Sequence, residues 1–108
     1  MRNNIIIDKM LTYISKIMSY SVADTYEAFA ENTMLVDACV FNLSQLGELA
    51  NKLDADFTQS YPDIPWHQMR GLRNKIVHDY EGVNLMLVWE IIKEDLPELR
   101  TQLQKIKG

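Results

Sequence analysis

The chain has 108 residues, of which 47% are hydrophobic and 24% are charged, as is usual for one globular domain with a modest core. Its net charge of -4 excludes a protein that coats nucleic acid through a broad basic face, although a small pocket for one phosphate stays possible. The one cysteine, Cys39, excludes a disulfide within the chain and favours a reducing compartment. The sequence shows no signal-peptide pattern and no apolar run of membrane-spanning length. We therefore expect a single cytoplasmic domain over residues 1–108.

Apolar periodicity in the first half of the chain predicts three helices. The first covers residues 5–19, and a short second helix covers residues 26–30, with Ser21 and Asp24 resembling a helix start. The third covers residues 33–53 and carries a seam whose members are spaced by fours and threes, which keeps one stripe facing a partner. The seam consists of Leu35, Cys39, Asn42, Leu46, Leu49 and Leu53.

Two residues of this third helix depart from its apolar pattern. Asn42 is polar within the seam, so its amide should have a hydrogen-bonding partner. Gly47 lies in mid-helix, which costs about 1 kcal/mol relative to alanine. A close approach of another helix or backbone segment would explain this glycine.

Turn residues end the helical pattern at 54–65, which predicts a loop. Asp63 or Ile64 could then cap a fourth helix with Pro65 in its first turn. This helix should bury Trp66 and end near residues 78–80, with Gly82 available to terminate it.

The last helical region should start near Val83. Pro97 interrupts it within a capping-box pattern at residues 95–98, which predicts a kink or two abutting helices. No segment is typical of a strand. The predicted fold is therefore all-α, an antiparallel helical bundle of four long helices plus a short one.

The stretch GLRNKIVHDY, residues 71–80, brings together Arg73, Asn74, His78 and Tyr80. On one helix Asn74 and His78 share a face, whereas Arg73 and His78 are about 140° apart. The arginine and histidine could converge if Arg73 reaches around and the helix frays after His78. Alternatively, two copies of the helix could meet across a two-fold axis. The second arrangement leads us to expect a homodimer.

Arginine binds phosphate through two parallel hydrogen bonds, and histidine transfers protons near neutral pH. Together, Arg73 and His78 suit cleavage of a phosphodiester by the 2′-hydroxyl of RNA, without a metal or cofactor. The simpler alternative is a surface ion pair for Arg73 and a capping role for His78. Arg70 and Lys75 could likewise guide RNA or merely form a solvated face.

The motif Arg73-Asn74-x-x-x-His78-x-Tyr80 resembles the Arg-x4-His-x-Tyr signature of the HEPN superfamily. Three further segments resemble the HepT-type toxins of MntA/HepT toxin–antitoxin systems. They are DACVFNLSQLGELANKL at 37–53, YPDIPW at 61–66 and LPEL at 96–99. The whole resemblance covers roughly residues 5–106.

This resemblance implies an α-helical HEPN domain that dimerises with its two motifs facing a shared cleft. It implies a metal-independent ribonuclease toxin in which Arg73 and His78 are catalytic and Asn74 supports them. The partner would be a minimal, MntA-like nucleotidyltransferase antitoxin that attaches AMP to Tyr80. The chain departs from many relatives at Phe41, where they carry an arginine.

Three functions remain open from the sequence. The first is the ribonuclease toxin. The second is a non-catalytic helical binding partner of a minimal nucleotidyltransferase, which the acidic charge balance and Phe41 favour. The third is a purely structural dimerising bundle, in which the motif residues occur together by coincidence.

Overall fold

The computed structural model describes residues 2–20, 24–77 and 84–107, with the side chains of Arg73 and Val77 left out of the description. These residues form helices joined by short connections, and they contain no strand, which confirms the predicted all-α class. The elements are α1 (Arg2–Ser19), α2 (Tyr26–Glu31), α3 (Thr33–Asn51), α4 (Ala55–Gln59), α5 (Trp66–Arg70), α6 (Leu72–Val77), α7 (Leu85–Glu90), a π-helical segment (Ile91–Asp95) and α8 (Leu96–Lys107).

The third helix is the centre of the packing. Helix α3 contacts α1, α2, α5, α6 and α7, while α8 packs against α1. The predicted seam is buried from Cys39 to Leu53, and Leu35 is half-buried at its start. Fully covered side chains on the two long helices α1 and α3 form the middle of the core: Ile7, Met10, Ile14, Ile17, Cys39, Leu43 and Leu46.

Helix α2 begins at Tyr26 as predicted, but two helices have caps that the sequence did not indicate. Thr25 caps α2, because its hydroxyl accepts a hydrogen bond of 3.2 Å from the backbone N–H of Ala28. Ser21 lies outside the described residues. Pro65 itself precedes α5 and has no side-chain capping bond, so neither Asp63 nor Ile64 caps this helix.

The segment 54–65, which was predicted as a loop, contains the short helix α4. The prediction of a continuous loop is therefore wrong. Phe57 explains why α4 forms. The centre of the Phe57 ring lies 5.2 Å from the ring centre of Tyr61 and 6.3 Å from that of Trp66. Tertiary packing of this aromatic side chain overrides the turn-forming tendency of its neighbours.

The fourth predicted helix, expected to run from Trp66 to residues 78–80, is divided at Gly71. This residue has φ -90° and ψ 0°, which ends α5 before α6 begins. Its N–H still donates to the His67 carbonyl at 3.3 Å, and its carbonyl accepts from the Lys75 N–H at 3.0 Å. Glycine is a weak helix former, which is consistent with a division between the two helices at this residue.

The last helical region begins at Leu85, where the side chain of Asn84 accepts a hydrogen bond of 3.1 Å from the Leu87 N–H. Val83 and Gly82 lie outside the described residues. Residues 95–98 form no new cap, because the helix continues through Leu96 in helical geometry. The interruption predicted near Pro97 takes the form of the π-helical segment just before it, consistent with a proline that cannot donate a helical hydrogen bond.

Asn42 has the partners that its buried position requires. Its side-chain amide donates to the Tyr20 hydroxyl at 3.0 Å and to the Ala38 carbonyl at 2.8 Å. Only 3% of the residue is exposed, so the two hydrogen bonds offset the loss of water around the amide. The bond to Tyr20 also fixes the end of α1 to the middle of α3.

We predict that Asn42→Ala lowers the free energy of unfolding by about 1–3 kcal/mol, since it leaves buried groups without their partner. Chemical denaturation measures the change. Asn4→Ala is the matched control, because Asn4 is exposed on α1 and should change stability by less than about 0.5 kcal/mol. Equal effects of the two substitutions would contradict the structural role of Asn42.

Candidate functional site

The predicted motif lies at the end of α6. Leu72 and Ile76 are buried and hold this helix against α3. The backbone of Arg73 lies on the helix, and Asn74 is exposed on it. His78 directly follows the last residue of α6, and both His78 and Tyr80 lie outside the described residues. The structure thus brings the first half of the motif onto one short helix.

A backbone hydrogen bond joins the described residues on either side of positions 78–83. The backbone N–H of Asn84 donates to the Ile76 carbonyl at 3.2 Å. This bond places the end of α6 next to the start of α7. Asn84 also caps α7, because its side-chain oxygen accepts a hydrogen bond from the Leu87 N–H.

The approach to α5 is held by the YPDIPW segment. The indole N–H of Trp66 donates to the Tyr61 carbonyl at 3.0 Å, and the Ile64 N–H donates to the same oxygen at 3.2 Å. Ile64 and Trp66 are both buried. This segment therefore sets the position of α5, and through Gly71 that of α6.

The described basic side chains around the motif, His67, Arg70 and Lys75, do not all line one groove. The guanidinium Nε of half-buried Arg70 donates to the Ala50 carbonyl of α3 at 3.4 Å. Lys75 is exposed on α6, and His67 is exposed in the first turn of α5. His67 and Arg70 both line a shallow groove of about 530 Å³ between α4 and α5.

The face of α3 that points away from the core carries apolar residues. Met34 is 84% exposed and Phe41 is 57% exposed. They are seven residues apart, so they lie on one stripe of the helix, and Glu48 follows seven residues later. Among the described residues the ion pairs are Arg2–Asp54 and Lys107–Asp8, so Glu48 forms none with Lys52 one turn later.

Cys39 does not resemble a nucleophile. Burial within the core raises the pKa of its thiol to about 11, so the thiol stays protonated near neutral pH. Within the ranges 2–20, 24–77 and 84–107, no group of three or more histidine, cysteine or acidic residues is placed to hold a metal ion. In the same ranges, no helix is both long and apolar enough to cross a bilayer.

Sequence reasoning missed one concave feature. A pocket of about 370 Å³ lies between α5 and the π-helical segment, with Leu46 of α3 contributing to its lining. Its residues come from three separate parts of the chain, so no local pattern could have indicated it.

Comparison with known proteins places the chain in a family. Residues 10–106 match the family described as "Ribonuclease HepT-like". Two Methanocaldococcus jannaschii proteins, each named "Putative RNase", are 33% and 34% identical over 97 residues; the matches cover 90% of this chain and 84% and 80% of theirs. A Thermococcus cleftensis protein named "Probable ribonuclease HepT" is 34% identical over 70 residues, which is 65% of this chain and 64% of its own length. No solved structure matches.

The described fold is that of an all-α domain with its motif helix packed on a central helix. The chain belongs to the HepT-like ribonuclease family, as the match over residues 10–106 establishes.

Proposed function

We propose that this protein is a metal-independent endoribonuclease that acts as the toxin of a toxin–antitoxin system. One observation carries the proposal: the complete Arg-x4-His-x-Tyr motif, with its arginine on α6, occurs in a member of the HepT-like ribonuclease family. The names of its relatives support RNA as the substrate.

The proposed reaction uses the RNA's own 2′-hydroxyl as the nucleophile. His78 accepts its proton, the oxygen attacks the adjacent phosphorus, and the bond to the 5′-oxygen of the next nucleotide breaks. Solvent water protonates the leaving 5′-oxygen, and the other product is a 2′,3′-cyclic phosphate. Arg73 offsets the charge that develops on the non-bridging oxygens, and Asn74 supports Arg73 and His78. Because each role is filled by a side chain, by the RNA or by water, the proposed step requires no metal ion.

Arg70 and Lys75 are the proposed contacts to the RNA backbone beyond the cleaved bond. Lys75 is exposed on the same helix as Arg73 and is free to meet a phosphate there. Arg70 is partly committed to the Ala50 carbonyl, and we expect it to contribute less. With a net charge of -4, such local cations are needed to bring RNA to an otherwise acidic protein.

We predict that Arg73→Ala and His78→Ala each lower the rate of RNA cleavage about 10²- to 10⁴-fold, since each removes a group that acts on the transition state. Cleavage of a labelled RNA by purified protein, with and without a chelator, measures the rates. His67→Ala is the matched control, because this exposed histidine lies on α5 and should leave the rate unchanged. Undiminished cleavage by folded His78→Ala would refute the proposal.

We further propose that a minimal, MntA-like nucleotidyltransferase neutralises the toxin by attaching AMP to Tyr80. Tyr80 is two residues from His78 in the motif, so a phosphate on its phenol would add negative charge beside the proposed phosphate-binding residues. The attached nucleotide would also compete with RNA for the same space. Both effects act against cleavage.

We predict that the nucleotidyltransferase transfers label from α-labelled ATP to the wild type but not to Tyr80→Phe, because that variant lacks the accepting hydroxyl. Gel autoradiography measures the transfer. Tyr61→Phe is the control and should be labelled like the wild type, since Tyr61 lies in the approach to α5. Full labelling of Tyr80→Phe would exclude Tyr80 as the acceptor.

A homodimer is the assembly that we propose for the active protein. Exposed Met34 and Phe41 give α3 an apolar stripe that a second copy could cover. We propose that a two-fold axis relates the two copies and lets each contribute its motif to a shared cleft, as the resemblance to HepT-type toxins implies.

We predict that Phe41→Glu shifts the protein from dimer to monomer at micromolar concentration, because it places a charge in the proposed contact. Analytical ultracentrifugation measures the mass. Ile5→Glu, at a residue that is 53% exposed on α1, is the matched control and should remain dimeric. A monomeric wild type, or a dimeric Phe41→Glu variant, would contradict the proposed assembly.

The second candidate function is a non-catalytic helical partner of a minimal nucleotidyltransferase. The exposed Phe41 favours this alternative, because the resemblance implies an arginine at this position and an apolar side chain supplies no cation for RNA. A stable complex with the nucleotidyltransferase, combined with no cleavage of any RNA tested, would distinguish it from the toxin.

A further inference from the structure

The pocket between α5 and the π-helical segment combines an apolar floor with an acidic rim. Leu46, Met69, Leu72, Leu96 and Leu99 supply the apolar side chains, and all five are nearly buried. The rim carries three exposed carboxylates: Asp63 from the connection before α5, Asp95 from the π-helical segment and Glu98 from α8. Among the described lining residues there is no lysine, arginine or histidine to neutralise them. We call this feature the acidic groove.

The π-helical segment builds one wall of the acidic groove. The N–H of Leu96 donates to the Ile91 carbonyl five residues earlier. On a regular α-helix these two residues would be about 140° apart, whereas the wider π turn brings them closer to one face. Ile91, Asp95 and Leu96 can therefore all line the same groove. The energetically less favourable π geometry thus shapes this surface, as it often does at functional sites.

A hydrogen bond between two elements holds the other end of the groove. The side-chain amide of Gln102 on α8 donates to the backbone carbonyl of Asp63 at 3.2 Å. This bond ties the last helix to the connection before α5, so both walls are held in place without an occupant. Such a preformed, apolar-floored cavity of about 370 Å³ has the size that suits one or two bulky side chains.

We infer that the acidic groove is a docking site for a cationic amphipathic helix of another protein. The apolar floor would receive one or two large aliphatic or aromatic anchors, and the three rim carboxylates would face lysines or arginines beside those anchors. Charge complementarity selects this occupant, because three carboxylates with no basic residue among the described lining repel a nucleic acid or an acidic peptide. The inference goes beyond the proposed ribonuclease and does not depend on it.

The groove is separate from the exposed part of the motif helix. Leu72 of α6 lines the groove, whereas Asn74 and Lys75 do not. Docking there would therefore leave these two exposed residues of α6 uncovered. A protein bound in the groove could be held next to the motif without occupying the proposed substrate site.

The test uses the whole protein and a fluorescent peptide probe, a leucine–lysine helix of about four turns with one apolar face. A peptide with glutamate in place of lysine and a scrambled peptide of the same composition are the probe controls. Fluorescence anisotropy gives the affinity, and backbone amide NMR shifts locate the binding site. We expect binding by the leucine–lysine helix alone, with shifts centred on Gln68, Met69 and Leu99.

The double variant Asp95→Asn with Glu98→Gln should weaken binding of the cationic helix roughly three- to tenfold at low salt. The matched control is Glu90→Gln with Glu94→Gln, which removes the same charge from exposed positions of the same continuous helix outside the groove lining. A second variant, Gln68→Lys, introduces a cation at an exposed lining position and should weaken binding in the same direction.

Three outcomes would overturn the inference: equal loss in the groove and control double variants, shifts located elsewhere, or no preference for the cationic helix. Self-association of the chain that the groove variants abolish would also overturn it, because the occupant would then be a second copy. Selective binding that both groove variants weaken, and the control variant preserves, would support it.

Discussion

The packing around α3 is the constraint on which the rest of the structure depends. This helix contacts five other helices. Between Val36 and Ala50, one of its faces lies in the core and the opposite face is exposed. A polar residue at its centre, Asn42, is acceptable only because Tyr20 and the Ala38 carbonyl accept its hydrogen bonds. The core face of α3 therefore sets where α6 lies, and its opposite face, with Met34 and Phe41, remains available to a partner.

Long periodic elements could be predicted from the sequence, and irregular ones could not. The spacing of α1 and α3 indicates their helices directly, because many apolar residues agree on one face. Helix α4 depends on distant aromatic contacts of Phe57 that no local pattern contains. The break at Gly71 and the π-helical segment before Pro97 depend on how neighbouring helices pack, since similar residues can also continue a helix or begin a new one.

The candidate site can be recognised from the sequence alone, whereas the acidic groove cannot. Arg73, Asn74, His78 and Tyr80 are close in the chain, so their combined chemistry can be recognised without a structure. Asp63, Asp95 and Glu98 belong to separate elements, and only the folded chain places them around one apolar floor. The two surfaces also have opposite charge preferences. In the proposed roles, the motif offers cations to a phosphate and the groove offers carboxylates to a cation, so RNA and a protein partner would bind at separate surfaces.

The central claim is that the motif on and after α6 gives the protein its activity. The most direct measurement is the growth of cells that express this chain alone, compared with cells that express Arg73→Ala or His78→Ala, with total RNA examined in each culture. The account predicts growth arrest and RNA loss for the wild type only. Equal growth and intact RNA in all three cultures, with the wild-type protein shown to be folded and abundant, would contradict it.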